Sequence, residues 1–98
     1  MRLEKAGIAG TMESSDVMVT VRPAEAAGIS IAIESKVAAQ YGDEMRATVL
    51  GVMNDFGIES AEVELRDRGA MDCVIRARTQ TAVCRAFGVG FDWKGEDK

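Results

Sequence analysis

Val17-Met-Val-Thr-Val-Arg22 sets Val17, Val19 and Val21 against Met18, Thr20 and Arg22, and Ala61-Glu-Val-Glu-Leu-Arg66 repeats the alternation further along the chain. A period of two sends one set of side chains to a buried face and the other to solvent, which predicts half-buried β-strands. Pro23 ends the first run, because proline has no N–H to donate to a ladder. Beyond a loop containing Gly28, Ile29, Ile31 and Ile33 alternate with Ser30, Ala32 and Glu34. Two such runs joined by a short turn predict an antiparallel pair covered on one face.

Between the second and third strands the period changes. Val37, Tyr41, Met45, Val49, Val52 and Phe56 recur at spacings of three and four, the mark of an amphipathic helix. Ser35 is placed to cap its start. Gly57 is placed to end it in a left-handed conformation, with Ile58 supplying the apolar contact that accompanies such caps. Asp67-Arg-Gly69 then turns the chain into a second helix from about Ala70 to Phe87, with Met71, Val74, Ile75, Ala82 and Ala86 on its apolar side. Arg78 and Arg85 project close to that same side, so they either reach past the edge of the core or face a partner.

The expected architecture is an α+β domain: an antiparallel sheet of three to four strands with two helices packed on one face. The elements run in the order (β)ββαβα, the optional first strand lying near Ile8. Ninety-eight residues make one domain, 1–98. Within it, residues 1–16 are glycine-rich and largely without periodicity, and read as a flexible segment. Residues 88–98, with Phe91 and Trp93, read as a loose tail.

The net charge of -4 and acidic balance disfavour nucleic-acid binding as the main role. The whole excess lies in residues 23–60, whereas Arg66, Arg68, Arg76, Arg78 and Arg85 make a locally basic stretch, a pattern suited to meeting a protein or an anionic group. No apolar run approaches the roughly 20 residues needed to cross a bilayer, so no membrane association is expected. Met-Arg-Leu-Glu-Lys lacks the apolar core of a signal peptide, so a cytoplasmic protein is expected. Cys73 and Cys84 on one helix would stand about 16 Å apart, beyond disulfide reach, and are expected to be reduced.

Histidine is absent. That removes Ser–His and Cys–His nucleophilic catalysis, and it leaves a metal site little to build from. Paired carboxylates such as Asp43 with Glu44 or Glu62 with Glu64 have nothing to place them in a cleft. Gly7-Ile-Ala-Gly10 lacks the lysine of a phosphate-binding loop. What remains is Ser14-Ser15, fenced by Glu13 and Asp16 in a segment of small residues. Without a base to activate it, such a serine reads as an acceptor on which a group is hung, or else as part of a polar turn with Asp16 capping nearby amides.

Three blocks carry a family resemblance. Ala9-Gly-Thr-Met-Glu-Ser-Ser-Asp-Val-Met18 resembles the attachment segment of citrate lyase acyl carrier proteins, the gamma subunits of that enzyme. Gln40-Tyr-Gly-Asp-Glu-Met-Arg-Ala-Thr-Val-Leu50 is similar to the family's central helix, and Asp67-Arg-Gly-Ala-Met-Asp-Cys-Val-Ile-Arg-Ala-Arg78 to its second signature. The resemblance spans residues 6–87. It implies that Ser14 bears a 2'-(5''-phosphoribosyl)-3'-dephospho-CoA group through a phosphodiester, with Ser15 as its neighbour. It further implies a non-catalytic carrier of acetyl and citryl thioesters during cleavage of citrate to acetate and oxaloacetate. The partners implied are the alpha and beta subunits and the transferase that installs the arm. The carrier subunit of malonate decarboxylase uses the same kind of arm and is the nearest alternative; an unmodified α+β interaction domain is the other.

Overall fold

A computed structural model describes residues 3–87; the expected tail at 88–98, with Phe91 and Trp93, lies outside the described residues. The elements are β1 (Gly7–Ala9), β2 (Val17–Arg22), β3 (Gly28–Glu34), α1 (Ala38–Asp55), β4 (Ser60–Asp67) and α2 (Asp72–Ala86). Their order and their α+β character are those the periodicities predict.

The sheet itself is mixed, which corrects the expectation of a purely antiparallel one. Its spatial order is β1-β2-β4-β3. β1 pairs antiparallel with β2, β2 antiparallel with β4, and β3 parallel with β4. β2 and β3, expected to pair, are separated by β4, which inserts between them. The physical reason is α1. Parallel neighbours need a long crossover, and the helix between β3 and β4 supplies one. The loop between β2 and β3 crosses the start of β4, where the Ser60 hydroxyl lies 2.7 Å from the carbonyls of Ala24 and Ala26.

Register then sorts the side chains. Val17, Val19 and Val21 stand opposite Asp67, Leu65 and Val63, and all four valines and the leucine are buried. Ile29, Ile31 and Ile33 pack against this core from the edge strand and are half-buried. On the open face Arg22 pairs with Glu62 at 3.5 Å, and Arg66 with Glu64 at 3.3 Å. Charges of alternating sign on that face keep it solvated and contribute little each to stability.

Helix α2 lies over β1 and β2, and α1 packs against α2 and β3. From α1, Met45, Val49, Val52 and Met53 enter the core; from α2, Ile75, Ala82, Val83 and Ala86 do. Phe56 and Phe87 close the far end, ring centroids 5.9 Å apart. Two residues read as core are not: Tyr41 is 51% exposed and Met71 is 71% exposed. Met71 falls at the N-cap of α2, before the helical periodicity begins.

The caps differ in how they were legible. At the end of α1 the N–H of Ile58 donates to Met53 O and that of Gly57 to Asn54 O, with Gly57 at φ 70°: the Schellman arrangement expected from the sequence. At the start, the N-cap is Val37 and not Ser35. Ser35 sits two residues earlier, where its hydroxyl accepts from Val37 N and donates to Asp67, a buried side chain at the end of β4.

Each sheet edge is covered by an arginine. Arg46 of α1 donates to Ile31 O in β3 at 2.7 Å, and Arg85 of α2 to Ile8 O in β1 at 2.7 Å. Carbonyls that would otherwise template pairing with another chain are thus engaged internally.

Candidate functional site

Three turns meet at one end of the sheet. They are the segment between β1 and β2, the link between β3 and α1, and the link between β4 and α2. Ser14 and Ser15 are the central residues of the first, closed by Asp16 N donating to Glu13 O at 3.1 Å. Ser15 takes φ 68°, the left-handed value a type II turn needs at its third position and one that non-glycine residues adopt at a cost.

Neighbouring groups hold that conformation. Ser15 N donates to Arg68 O at 2.7 Å, and Arg68 N donates to Asp16 O at 2.9 Å, so the turn is stitched to the exit of β4. Asp16 is the anchor. Its carboxylate accepts from the Thr11 hydroxyl at 2.7 Å, from Arg78 through Nε and Nη2 at 3.1 and 3.0 Å, and from Val17 N at 2.7 Å. The Thr11 hydroxyl first, then the Arg78 guanidinium and the Val17 amide, hold this carboxyl well below the usual carboxylate range.

Glycine makes the approach to the turn possible. A Cβ on Gly7 would lie 2.0 Å from Ala82 O, so only glycine lets β1 rest on α2. Gly10, at φ 96°, lies so close to Val17 that a Cβ would fall 1.8 Å from its carbonyl oxygen.

Ser14 stands apart from these contacts. It is exposed, and among the described residues neither its hydroxyl nor that of Ser15 makes a hydrogen bond; what separates the two is position. Ser14 opens onto a cleft of about 920 Å³ whose walls include Lys36, Val37, Arg68 and Gly69. Ser15 is not in that wall. Beyond Val37, Asp67 and Gly69 the cleft adjoins a second hollow of about 380 Å³, lined by Tyr41, Met45, Ala70 and Ile75. Asp67 ties the two sides together, accepting from Ser35 Oγ at 2.8 Å and from Ala70 N at 2.9 Å.

The arginines of the basic stretch do not form one patch. Arg66 lies on the open sheet face, Arg78 is committed to Asp16 and Arg85 to Ile8; Arg76 is exposed. Arg78 and Arg85 thus reach back to their own chain. Missed in the sequence were the roles of Thr11, Asp16 and Arg78 as one unit, and Lys36 as a wall of the site. Asp16 and Arg78 are 62 residues apart, and nothing local links them.

The cysteines, both on α2, are free: Cys73 exposed, Cys84 buried, where desolvation pushes the thiol up. Among the described residues no group of three or more His, Cys, Asp or Glu is placed to hold a metal, and no helix is long and apolar enough to cross a membrane.

This geometry accompanies a clear relationship to known proteins. The family described as malonate decarboxylase delta subunit (MdcD) matches residues 4–86. The citrate lyase acyl carrier protein of Streptococcus mutans serotype c is 44% identical over 98 residues, covering 99% of this chain and 96% of the relative. The chain belongs to the citrate lyase acyl carrier protein family. The proteins of that name from Haemophilus influenzae (strain PittEE) and Streptococcus equi subsp. zooepidemicus (strain H70) are 44% and 42% identical, covering 96% and 99% of this chain. In each relative the match covers 96% or more of its length, so the kinship reaches the segment between β1 and β2 and both helices.

Proposed function

We propose that this chain is the acyl carrier subunit of citrate lyase, one carrier domain over residues 1–98, and that Ser14 bears the phosphoribosyl-dephospho-CoA arm. One observation carries the assignment of the residue: of the two exposed serines on this turn, whose hydroxyls both lack a hydrogen bond among the described residues, Ser14 alone lines the cleft, while Ser15 is held through its backbone in a left-handed conformation. Thr11, Asp16 and the amide of Ser15 are engaged, and Ser14 Oγ, on the cleft side of the turn, is the hydroxyl we assign to the modifying enzyme. The donor set beside it suits a phosphodiester: Lys36 and Arg68 share its cleft with Glu34 and Asp67, and while Glu34 pairs with Arg68 and Asp67 with Ser35 and Ala70, the Lys36 ammonium is left for a phosphate.

When attached, the group supplies a terminal thiol that holds acyl groups as thioesters while citrate is cleaved to acetate and oxaloacetate. The chain's own residues position it. The Asp16–Arg78–Thr11 unit fixes the direction in which Ser14 points, and β1 and α2 hold that unit against the sheet. Alpha and beta subunits carry out exchange and cleavage, a transferase installs the arm, and the assembly is cytoplasmic. A tethered thiol meets successive active sites at an effective concentration of roughly millimolar when the linker is short and flexible.

Reconstitution tests this reading. Loaded with the arm and added to citrate lyase alpha and beta subunits, the chain is expected to restore citrate cleavage, and Ser14→Ala is expected to abolish it. A second reading, the carrier of malonate decarboxylase, is favoured only by the description of the matching family. Restoration of malonate decarboxylation in place of citrate cleavage would establish it. A chain that never gains mass beside the transferase would be an unmodified interaction domain.

A further inference from the structure

We propose that the cleft beside Ser14 and the hollow it leads into are the resting place of the chain's own arm, phosphates between Lys36 and Arg68 and the thiol-bearing end against Tyr41, Met45 and Ile75. The inference rests on the carrier reading and adds to it a bound, idle state.

Polarity argues for this occupant. The cleft nearest Ser14 sets the cations Lys36 and Arg68 against the carboxylates of Glu34 and Asp67, and among the described residues no ion pair or hydrogen bond engages the Lys36 ammonium. Among the described residues, Arg68 has one ion-pair partner, Glu34, at 4.0 Å. The hollow beyond is different: Val37, Tyr41, Met45, Ala70 and Ile75 line it with apolar groups, and its charged lining residues, Glu44, Asp67 and Asp72, are all carboxylates. Phosphates are therefore favoured beside the unengaged Lys36 ammonium near the attachment point and disfavoured further on, where no cation lines the hollow. An arm linked through phosphate has a compatible order of chemistry, with its phosphates and the nucleoside between them toward the serine and a neutral amide chain ending in sulfur beyond.

Size and rigidity agree. The two volumes, about 920 and 380 Å³, fall within the roughly 300–1,000 Å³ of small-molecule sites. Both spaces share Val37, Asp67 and Gly69, so one ligand can pass from the first to the second. Their walls are held by the Asp67 bridge between the β3–α1 and β4–α2 turns. Tyr41, on the apolar stripe of α1 yet 51% exposed, is left uncovered at the mouth of the hollow.

The test uses holoprotein whose mass shows the arm on Ser14, in a Cys73→Ser background so that the arm carries the one accessible thiol. A nitroxide is joined to that thiol as a disulfide, and amide signal intensities are compared with the nitroxide oxidised and reduced. Selective attenuation at Tyr41, Met45, Ala70 and Ile75, with Gly28 and Glu59 at the opposite end of the sheet unaffected, is expected. Lys36→Glu is expected to weaken that selectivity while the mass and fold persist. Attenuation spread evenly, or none, in a loaded chain would overturn the idle-state inference alone. A chain bearing no arm on Ser14 would overturn the carrier reading and this one together.

Discussion

Arg78 and Asp16, 62 residues apart in sequence, meet in a two-pronged pair at 3.1 and 3.0 Å that fastens the Ser14 turn to helix α2. The planar guanidinium suits both carboxylate oxygens, which a lysine ammonium does not. Arg78→Ala is expected to leave the sheet and helices folded, to lower the melting temperature by a few degrees, and to slow installation of the arm several-fold. Arg78→Lys should recover only part of that loss. Transfer rates followed by intact mass, beside thermal denaturation, check both.

The state of Asp16 makes its contribution pH-dependent. Its carboxyl is held below its ordinary value of 3.8 by Thr11, Arg78 and the Val17 amide, so the folded chain binds this proton less readily than the unfolded one. Stability from this site is therefore complete above that value and is lost as pH falls through the lower folded value. Urea midpoints of the parent chain and Asp16→Asn should differ most near neutral pH and converge below pH 3.8.

Gly7 is a packing requirement. Gly7→Ala drives a methyl to within 2.0 Å of Ala82 O and 2.6 Å of Ala86 N, so β1 must lift from α2. The expected cost is about 1–3 kcal/mol, the range for overpacked sites. Equilibrium unfolding measures it. A neutral result would mean that β1 does not rest on α2 as described.

The two thiols should behave oppositely. Cys73 is expected to react with a thiol reagent in the native chain, and Cys84 only on unfolding, because burial shields it and disfavours its thiolate. Counting labelled thiols by mass, with and without urea, decides it.

Much of the fold was legible because alternation reports burial directly. Val17, Val19 and Val21, and Ala61, Val63 and Leu65, are buried as their spacing requires, and Gly57 ends α1 as its position requires. Alternation says which face is covered and nothing about which strand lies alongside, so the insertion of β4 between β2 and β3 was not readable from either strand. The 18-residue helix between β3 and β4 was the signal for parallel pairing. Ser35 misled because its hydroxyl is drawn to Asp67, whose own burial at the end of an alternating strand looked like an ordinary turn residue.

For the site, the residues alone leave open an acceptor serine or a polar turn with Asp16 capping nearby amides, and it is the resemblance that points to Ser14; Asp16 does accept from Val17 N. The glycines of that segment read as freedom of movement, yet Gly7 and Gly10 sit where a Cβ has no room. Thr11, Asp16 and Arg78 carry no local pattern, because what joins them is tertiary contact.

Mapping the modified residue tests the central claim most directly. The chain is produced beside the prosthetic-group transferase, weighed intact and fragmented. The account predicts a mass increase equal to the phosphoribosyl-dephospho-CoA group, located on Ser14, absent from Ser14→Ala and kept in Ser15→Ala. An unchanged mass, or the group on Ser15, would contradict it.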